Sequence, residues 1–266
     1  GGTSGSPADG TKSTPHFGNG DLWLVRMDAS GNKLWDKSFG GSGDDAGWAV
    51  RRTSDGGFVV GVRSNSGVSG NKTSGNNGGF DYWVLRFDAN GNKLWEISVG
   101  GSGHDQLRDF DVTADGGFLI GGSSESSASG NKTSANFGAG DYWLVRLDAN
   151  GNKLWDKSFG GSLSDEMNSL QRCADGGFIL AGISASPADG NKSVASAGSY
   201  DYWIVRVDAN GNKVWDRTFG GSGADSAASI LQTADGGFIA TGASSSDPSG
   251  NKSSARQGAD DYWIVR

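Results

Sequence analysis

Apolar side chains along this chain occur in short runs of strand length, and none recurs at the 3.6-residue spacing of a capped helix. Residues 142–148 read Tyr-Trp-Leu-Val-Arg-Leu-Asp, which places apolar side chains at both odd and even positions. Because successive strand residues point to opposite faces of a sheet, such a strand is apolar on both faces. The pattern therefore predicts an all-β chain whose sheets lie between neighbouring sheets.

Glycine turns divide these runs into four predicted strands per segment. In the segment that begins at Asp105, the turn Asp115-Gly116 separates the first two strands and the turn Asn150-Gly151 separates the last two. Asp-Gly and Asn-Gly between apolar runs indicate tight hairpins, because both residues tolerate positive φ. A long polar loop joins the second strand to the third. The predicted strands cover residues 107–113, 118–123, 142–148 and 153–159.

The same unit recurs every 60 residues without insertion or deletion. The sequence Asp-Tyr-Trp begins at Asp81, Asp141, Asp201 and Asp261. The sequence Gly-Asn-Lys-x-Trp begins at Gly31, Gly91, Gly151 and Gly211. This period predicts a single repeat domain over residues 1–266, with complete units near 41–100, 101–160 and 161–220 and partial units near 1–40 and 221–266.

Four antiparallel strands in tandem are typical of a β-propeller blade, which buries both of its faces against its neighbours. We therefore expect a β-propeller of about four to five four-stranded blades, with a flat solenoid of stacked sheets as the alternative. The N-terminal unit is expected to supply only its third and fourth strands, and the C-terminal unit its first three. The chain thus reads as an excerpt of a longer array, and both the number of blades and ring closure stay open.

Composition narrows the classes of function. The 47 glycines accompany 10 Trp, 12 Phe and 5 Tyr, and this many aromatic residues indicates a packed rather than a disordered chain. The net charge is −7 and no segment is rich in Lys and Arg, so nucleic acid is not expected as a partner. The apolar runs are far shorter than the ~20 residues of a membrane span, so no membrane insertion is expected.

Repeated polar residues mark one end of each predicted sheet. Because strand direction alternates, the two tight turns lie at one end and the long loop lies at the other. Loops on a rigid scaffold commonly carry function, so the long-loop end is the expected ligand-binding face. The ligand-binding candidates there are Asp45, Asp105, Asp165, Asp225, Lys72, Lys132, Lys192, Lys252, Asp81, Asp141 and Asp201. For the Asp45 series, hydrogen bonds to loop backbone N–H groups are the favoured alternative.

The turn at residues 148–152 carries oxygen side chains at alternate positions, as does the start of a calcium loop. The twelfth position of that loop is Phe159 rather than an acid, and the pair Asn150-Gly151 explains the segment as a hairpin. No metal or cofactor is therefore expected, and calcium is the less favoured alternative.

An arginine recurs in the third strand at Arg26, Arg86, Arg146, Arg206 and Arg266. A buried arginine needs a partner, so we expect structural ion pairs. The expected partners are Asp36, Asp156, Asp216 and the Asp45 series. The tryptophans of the third and fourth strands are expected in the core, whereas Trp48 stands outside the repeat and is a candidate exposed contact.

Side chains for catalysis are sparse. The two histidines, His16 and His104, fall at unrelated positions of the repeat. Cys173 occurs once, where other units have threonine, and is expected to be a small buried side chain. No Ser-His-Asp or Cys-His set and no His/Cys metal cluster is visible, so the chain is not expected to be an enzyme.

The unit Ser-Gly-Asn-Lys-Thr-Ser…Asp-Tyr-Trp-Leu-Val-Arg-Leu-Asp-Ala-Asn-Gly-Asn-Lys-Leu-Trp…Ala-Asp-Gly-Gly-Phe resembles the tandem propeller-like repeats of large secreted Bacteroidota proteins. Those proteins often end in a type IX secretion sorting domain, so the resemblance implies an extracellular or cell-surface location and no established enzymatic activity. Residues 147–155 also resemble the Trp-docking hairpin of quinoprotein-type propellers, in which the Trp packs one blade on the next.

These observations favour a non-catalytic extracellular module with a structural, adhesive or binding function. The alternative is a multivalent lectin, in which repeated polar and aromatic residues hold sugar hydroxyls once per unit. A glycan-active enzyme ranks third, and its acids would lie near Glu166, where one unit departs from the others. The expected partners are an extracellular polymer, a glycan or another protein, together with self-association through the chain ends.

Overall fold

The computed structural model describes all 266 residues and contains 18 β-strands and no helix. The strands are β1 Gly2–Ser4, β2 Asp21–Met27, β3 Lys33–Phe39, β4 Asp45–Arg52, β5 Phe58–Ser64, β6 Asp81–Phe87, β7 Lys93–Val99, β8 Asp105–Val112, β9 Phe118–Ser124, β10 Asp141–Leu147, β11 Lys153–Phe159, β12 Asp165–Arg172, β13 Phe178–Ser184, β14 Asp201–Val207, β15 Lys213–Phe219, β16 Asp225–Gln232, β17 Phe238–Ser244 and β18 Asp261–Val265.

Antiparallel hairpins assemble these strands into five sheets. Three sheets have four strands, in the orders β4-β5-β6-β7, β8-β9-β10-β11 and β12-β13-β14-β15, and the other two are β1-β2-β3 and β16-β17-β18. The all-β prediction and the repeat of four-stranded antiparallel sheets every 60 residues are confirmed. All of these pairings lie inside a sheet, so the topology by itself establishes repeated sheets and not a closed ring.

The N-terminus contributes one strand more than the sequence pattern predicts. In β1, Ser4 lies opposite Asp21 of β2, just as Ser64 of β5 lies opposite Asp81 of β6. The segment is therefore the end of a second strand, and the first sheet contains strands two to four. Its sequence Gly-Thr-Ser carries no apolar alternation, which is why the pattern did not indicate it.

Glycine at positive φ closes both tight turns of each four-stranded sheet. Gly116 has a φ of +80° in the turn after β8, and Gly151 has a φ of +85° in the turn after β10. A side chain fixes the first of these turns, because Asp115 Oδ1 accepts hydrogen bonds from the Thr113 hydroxyl (2.6 Å) and from Gly117 N (3.3 Å). The antiparallel order places both turns at one end of the sheet, the tight-turn end, and the long loop at the other.

The chain divides into two compact units. The first comprises Gly1–Leu107 with the loop segments Ser126–Lys132 and Ala149–Asn152. The second comprises Arg108–Glu125, Thr133–Asp148 and Lys153–Arg266. The chain has no helix of the length and apolar character that a membrane crossing requires.

Apolar side chains from facing sheets pack together within each unit. In the first unit, Leu22 and Leu24 of β2 form a buried cluster with Val60, Val62 and Trp83 of the neighbouring sheet. In the second unit, one cluster joins β10 to β12–β14 and another joins β14 to β16–β18. All seven residues of β6, of β10 and of β14 are buried, so these strands are apolar and covered on both faces, as the sequence pattern predicts.

Candidate functional site

The aspartates predicted to bind a ligand at the long-loop end lie inside the protein. No exposed surface remains on Asp45, Asp105, Asp165 and Asp225. Asp45 accepts hydrogen bonds from Gly41 N (2.8 Å), the Ser66 hydroxyl (2.8 Å) and the Ser64 hydroxyl (2.5 Å). The other three accept the equivalent bonds from a glycine N–H and a loop serine. Each of these carboxylates therefore ties the connection between two sheets to the long loop.

The aspartates at the exit of the long loop are equally buried. No exposed surface remains on Asp81, Asp141 and Asp201. Asp81 Oδ2 accepts hydrogen bonds from the backbone (2.8 Å) and side-chain (2.9 Å) nitrogens of Asn77, whereas its Oδ1 receives none. A Cβ placed on Gly100 would lie 2.2 Å from that Oδ1 and 2.8 Å from Asp105 Oδ2. Two buried carboxylates thus flank a single glycine.

Burial shifts the protonation of one aspartate in each of three such pairs. Burial raises the pKa of Asp81 to about 6, and the negative charge of Asp105 adds to the shift. Burial also raises the pKa of Asp165 and of Asp201. Since desolvation disfavours the charged form of a carboxyl group, each of these three aspartates holds a proton more tightly than an exposed aspartate does.

The lysines predicted at the same end are buried beneath the long loop, namely Lys72, Lys132, Lys192 and Lys252. Lys72 Nζ donates to Ser74 O (2.7 Å), Gly75 O (3.1 Å) and the Ser98 hydroxyl (2.9 Å). Burial lowers the pKa of Lys72, and the charge of Asp45 opposes that shift. The ammonium group therefore acts as an internal cation that closes the loop around itself.

The structure thus brings the predicted Asp and Lys residues together in each repeat, but in the interior. Their hydrogen bonds to loop backbone groups are those of the favoured alternative for the Asp45 series. Ligand contact by these residues stays a prediction, and none of them presents an exposed surface to a ligand. Their observed contacts hold the long loop on the ends of the strands.

The Asp-x-Asn-Gly-Asn turns engage their carboxylates internally. Asp208 Oδ1 accepts hydrogen bonds from Asn210 N (2.9 Å) and Asn212 N (2.7 Å), and its Oδ2 accepts one from Asn212 Nδ2 (2.9 Å). The bonds from Asn212 are the main reason that the pKa of Asp208 is lowered. Asp88 makes the same three bonds in its own turn. The chain contains no group of three or more His, Cys, Asp or Glu side chains placed to hold a metal ion.

Four of the five third-strand arginines pair with other aspartates than the sequence suggested, and the fifth, Arg26, donates from Nη1 to Ala89 O (2.7 Å). Arg146 Nη2 lies 2.7 Å from both carboxylate oxygens of Asp115, in the turn before β9. The same pair recurs as Arg86–Asp55, Arg206–Asp175 and Arg266–Asp235. The expectation that these arginines pair with Asp36, Asp156, Asp216 or the Asp45 series was wrong. The register of β9 and β10 places Arg146 opposite Leu119 and thus beside this turn.

Asp36, Asp156 and Asp216 instead accept a hydrogen bond from the indole group of the third-strand tryptophan in their sheet. Asp156 Oδ2 lies 3.0 Å from Trp143 Nε1, which donates to it, and Asp156 Oδ1 lies 2.5 Å from Lys153 Nζ. Burial alone would raise the pKa of Asp156, but the hydrogen bonds, that of Lys153 foremost, lower it below its usual range. In the sheet β4–β7 the equivalent residue is Glu96, and Trp83 Nε1 has no hydrogen-bond partner.

Successive repeats contact one another at positions that are the same in each repeat. In the second unit, the Trp155 ring lies against Gly211 in the turn of the next sheet, where a Cβ would lie 2.5 Å from the ring. Asn191 of the next long loop donates from Nδ2 to Ser158 O (2.9 Å) and accepts from Gly160 N (2.9 Å). Equivalent contacts recur in the first unit.

A groove of about 360 Å³ lies beside the Trp155 contact at the tight-turn end. One wall comes from the sheet β8–β11 and carries Asp115, Arg146 and Trp155, while the other comes from β12–β15 and carries Arg172, Phe178 and Asn210. We call it the second groove. Arg172 and Asn210 are exposed, whereas Trp155 is half-buried.

An equivalent groove of about 460 Å³ lies in the first unit. This first groove is lined by Arg26, Trp35, Arg52, Phe58 and Ala89, each of which is 120 residues before a lining residue of the second groove. Sequence reasoning favoured the opposite end of the sheets and missed both grooves. The available signal was Arg52 and Arg172, which recur in alternate repeats only.

The unrepeated residues have ordinary environments. His16 Nδ1 lies 2.9 Å from Asp21 Oδ2. His104 Nδ1 accepts a hydrogen bond from the backbone N of Phe80 (3.3 Å). Cys173 is buried as expected, and burial raises the pKa of its thiol. Trp48 lies at the bulge of β4 and is 49% exposed.

Comparison with known proteins gives little to set beside this geometry. No model of a known protein family matches the chain. The chain is 25% identical over 165 residues to Regulatory protein FlaEY of Caulobacter vibrioides, and the match covers 59% of this chain and 17% of that protein. A protein of unknown function from Bacteroides caccae has a similar structure, with a TM-score of 0.45 and 11% identity, over 83% of this chain and 65% of that one. The chain therefore spans less than two thirds of either protein.

Proposed function

We propose that this chain is a non-catalytic extracellular binding module whose tight-turn grooves hold a polymer. The observation that carries the proposal is the recurrence of two grooves with equivalent linings, 120 residues apart. One chain thus presents the same combination of Arg, Trp and Phe side chains twice, which suits a partner that is itself repetitive. A concave surface with aromatic walls and a few polar groups is the usual form of a ligand site.

The sheets fit the blades of a β-propeller, and we include that architecture in the proposal. In the second unit, the first strands of neighbouring sheets bind each other, since Asp109 Oδ2 accepts Leu170 N (3.0 Å) and Gln171 Oε1 accepts Gln232 N (2.6 Å). Innermost strands of blades make such contacts around a common axis. Solution X-ray scattering tests it, because a ring gives a compact distance distribution. An elongated distribution would favour the flat solenoid and overturn the propeller.

A location outside the cell is part of the same proposal. It is supported by the resemblance of the repeat unit to secreted Bacteroidota proteins, and an adhesive role follows if the polymer belongs to a surface. Fractionation of cells that make the full-length protein tests this part. Recovery of the protein from the cell surface or the medium is the expected result, and exclusive recovery from the cytosol would contradict it.

The groove assignment is tested by filling the grooves with a larger side chain. Ala89→Trp and Ala209→Trp place an indole at the mouths of the first and second grooves, and together they are expected to lower the affinity for a retained polymer at least about tenfold. The matched control is Ala149→Trp, at the equivalent exposed turn position of the intervening repeat. Binding is measured by calorimetry against a panel of polysaccharides and matrix proteins.

Two results would overturn the proposal. One is an absence of binding to every member of the panel by the wild-type chain. The other is equal loss of affinity in all three variants, since that would place the contact outside the two grooves. A fall in polymer length during incubation would contradict the non-catalytic part, and viscometry of the same samples measures it.

A further inference from the structure

The residue that precedes the Asp-Gly-Gly turn by three positions differs between repeats. It is arginine in alternate repeats, at Arg52 and Arg172, whereas the intervening repeats have Val112 and Gln232. Both arginines line the tight-turn grooves. The two grooves therefore share a cation that the strand and turn pattern of the fold does not require.

These two guanidinium groups are not used by the fold. Arg52 and Arg172 are exposed, and neither side chain makes a hydrogen bond or ion pair within the protein. By contrast, the guanidinium of Arg146 in the same groove is committed to both carboxylate oxygens of Asp115. The Arg146–Asp115 pair contributes no net charge, so Arg172 supplies the charge available to a ligand.

The carboxylates around the second groove have partners within the protein. Asp175 is paired with Arg206, whereas Asp111 keeps its negative charge, because it accepts hydrogen bonds only from the neutral backbone nitrogens of Val112 (2.8 Å) and Arg172 (3.1 Å). Lys157 Nζ lies 2.7 Å from Asn212 Oδ1 at the groove edge and adds a second positive charge there.

The groove also offers an apolar surface beside the cation. Trp155 is half-buried, since its ring packs on Gly211 and Lys157 Nζ lies 5.3 Å from the ring centroid, and the part left open lines the groove together with Leu154, whose surface is 55% exposed. A sugar ring has one face of C–H groups that packs on such a surface, and a carboxylate on the ring would reach the arginine. The planar guanidinium group binds a carboxylate through two parallel hydrogen bonds, which a point charge such as lysine does not do.

We propose that Arg52 and Arg172 each bind a carboxylate of an acidic polysaccharide, with the sugar rings against Trp35 and Trp155. This inference rests on the proposed function, because it names the class of polymer that the grooves take. The net charge of −7 gives a polyanion no long-range attraction, so binding depends on the local contacts in the two grooves. Two such sites on one chain let a single polymer bind twice.

Calorimetry with the intact chain in calcium-free buffer tests the inference. The probes are polygalacturonate, its methyl ester, dextran sulfate and neutral dextran. Polygalacturonate is expected to bind, and the methyl ester at least about tenfold more weakly because it lacks the charged carboxylate. The double variant Arg52→Gln/Arg172→Gln is expected to lose about 10- to 100-fold in affinity for polygalacturonate. Glutamine is tolerated at this position, as Gln232 shows, so the fold should persist.

The matched control is Arg217→Gln, which removes an exposed guanidinium group that lines neither groove and is expected to leave the affinity for polygalacturonate unchanged. Tighter, arginine-dependent binding of dextran sulfate than of polygalacturonate would overturn the assignment to a carboxylate. The inference would be overturned if polygalacturonate and neutral dextran bound equally well and the arginine substitutions left both affinities unchanged. That result would leave the proposed function in place. No binding of any polymer would remove both.

Discussion

Most of the charged side chains described here make contacts within the fold. For the acids beside the third-strand tryptophans, the length of the side chain decides which contacts form. Asp36, Asp156 and Asp216 each accept the indole N–H of the third-strand tryptophan in their sheet, at 3.0–3.1 Å. Glu96 has one more methylene group; it keeps the bonds from the loop nitrogens, Thr73 N and Ser74 N, but Trp83 Nε1 has no hydrogen-bond partner. A single methylene group thus separates a satisfied indole from an unsatisfied one.

Exchanging these acids tests that account. Glu96→Asp is expected to give the Trp83 N–H an acceptor and to raise the free energy of unfolding by about 1 kcal/mol. The reverse change, Asp156→Glu, is expected to lower it by about 1–3 kcal/mol because it strands the Trp143 N–H. Urea unfolding measures both, and the indole proton shifts in NMR report the bonds. The account fails if both substitutions shift stability in the same direction.

The buried carboxylate pairs predict how stability depends on pH. The pKa of Asp81 is raised from the ordinary 3.8 to about 6 by burial, so the folded state holds this proton more tightly than the unfolded state. The stability from this site is fully present below the unfolded pKa and is lost as pH rises through about 6. We expect a loss on the order of 2 kcal/mol for this site as pH rises from about 4 to about 7.

Asp81→Asn is expected to remove the part of the pH dependence of stability that Asp81 causes, because an amide resembles the protonated carboxyl group. The control is Asp88→Asn, in a turn at the surface. Hydrogen bonds from Asn92 lower the pKa of the Asp88 carboxyl group. A lowered pKa gives stability that is lost only as pH falls, so the control should leave the slope near pH 6 unchanged. Thermal unfolding across pH measures both. A wild-type slope in Asp81→Asn would show that the site does not titrate as described.

At the scale of elements, the strands and hairpins could be predicted and their partners could not. Asn150-Gly151 and Asp115-Gly116 locate the turns because their conformations are rare for other residues. The partner of Arg146 was missed because Asp115 lies 31 residues earlier, and only the register of β9 with β10 brings them together. The burial of Lys72 was missed because its polar loop reads as solvated in sequence.

The hairpin glycines offer a test of docking between sheets. Gly31 and Gly151 occupy equivalent turns, with φ of +84° and +85°, but only Gly151 contacts a tryptophan, Trp95. Gly31→Ala is expected to cost about 1–2 kcal/mol for its backbone conformation alone. Gly151→Ala is expected to cost about 1–3 kcal/mol more because its Cβ would overlap the ring. Urea unfolding midpoints compare the two. Equal costs would mean that the Trp contact carries no weight.

At the scale of the whole molecule, stability is expected to vary from sheet to sheet. All residues of β14 are buried, whereas the residues of β18 are alternately exposed and half-buried. Backbone amides of β14 are therefore expected to exchange at least about 100-fold more slowly than those of β18. Hydrogen exchange followed by mass spectrometry measures this, with β6 as the buried reference of the first unit. Uniform protection across these strands would argue for a single cooperative unit.

The grooves are also a property of this scale, because their walls come from neighbouring repeats. No single repeat contains the site, so a search for motifs within one unit did not find it. The alternation of Arg52 and Arg172 with Val112 and Gln232 makes the repeat effectively 120 residues long for binding, although it is 60 residues long for folding.

The contacts between successive repeats bear on how such a gene can change in length. Trp155 against Gly211, and Asn191 across Ser158 and Gly160, join positions whose spacing is the same in every repeat. Recombination that removes or duplicates one whole unit rejoins these parts in register and leaves a foldable product. A one-residue insertion inside a unit changes the spacing of the contacts that span it. Inheritance can therefore lengthen or shorten the protein in steps of a full repeat, while the repeat itself stays fixed in size.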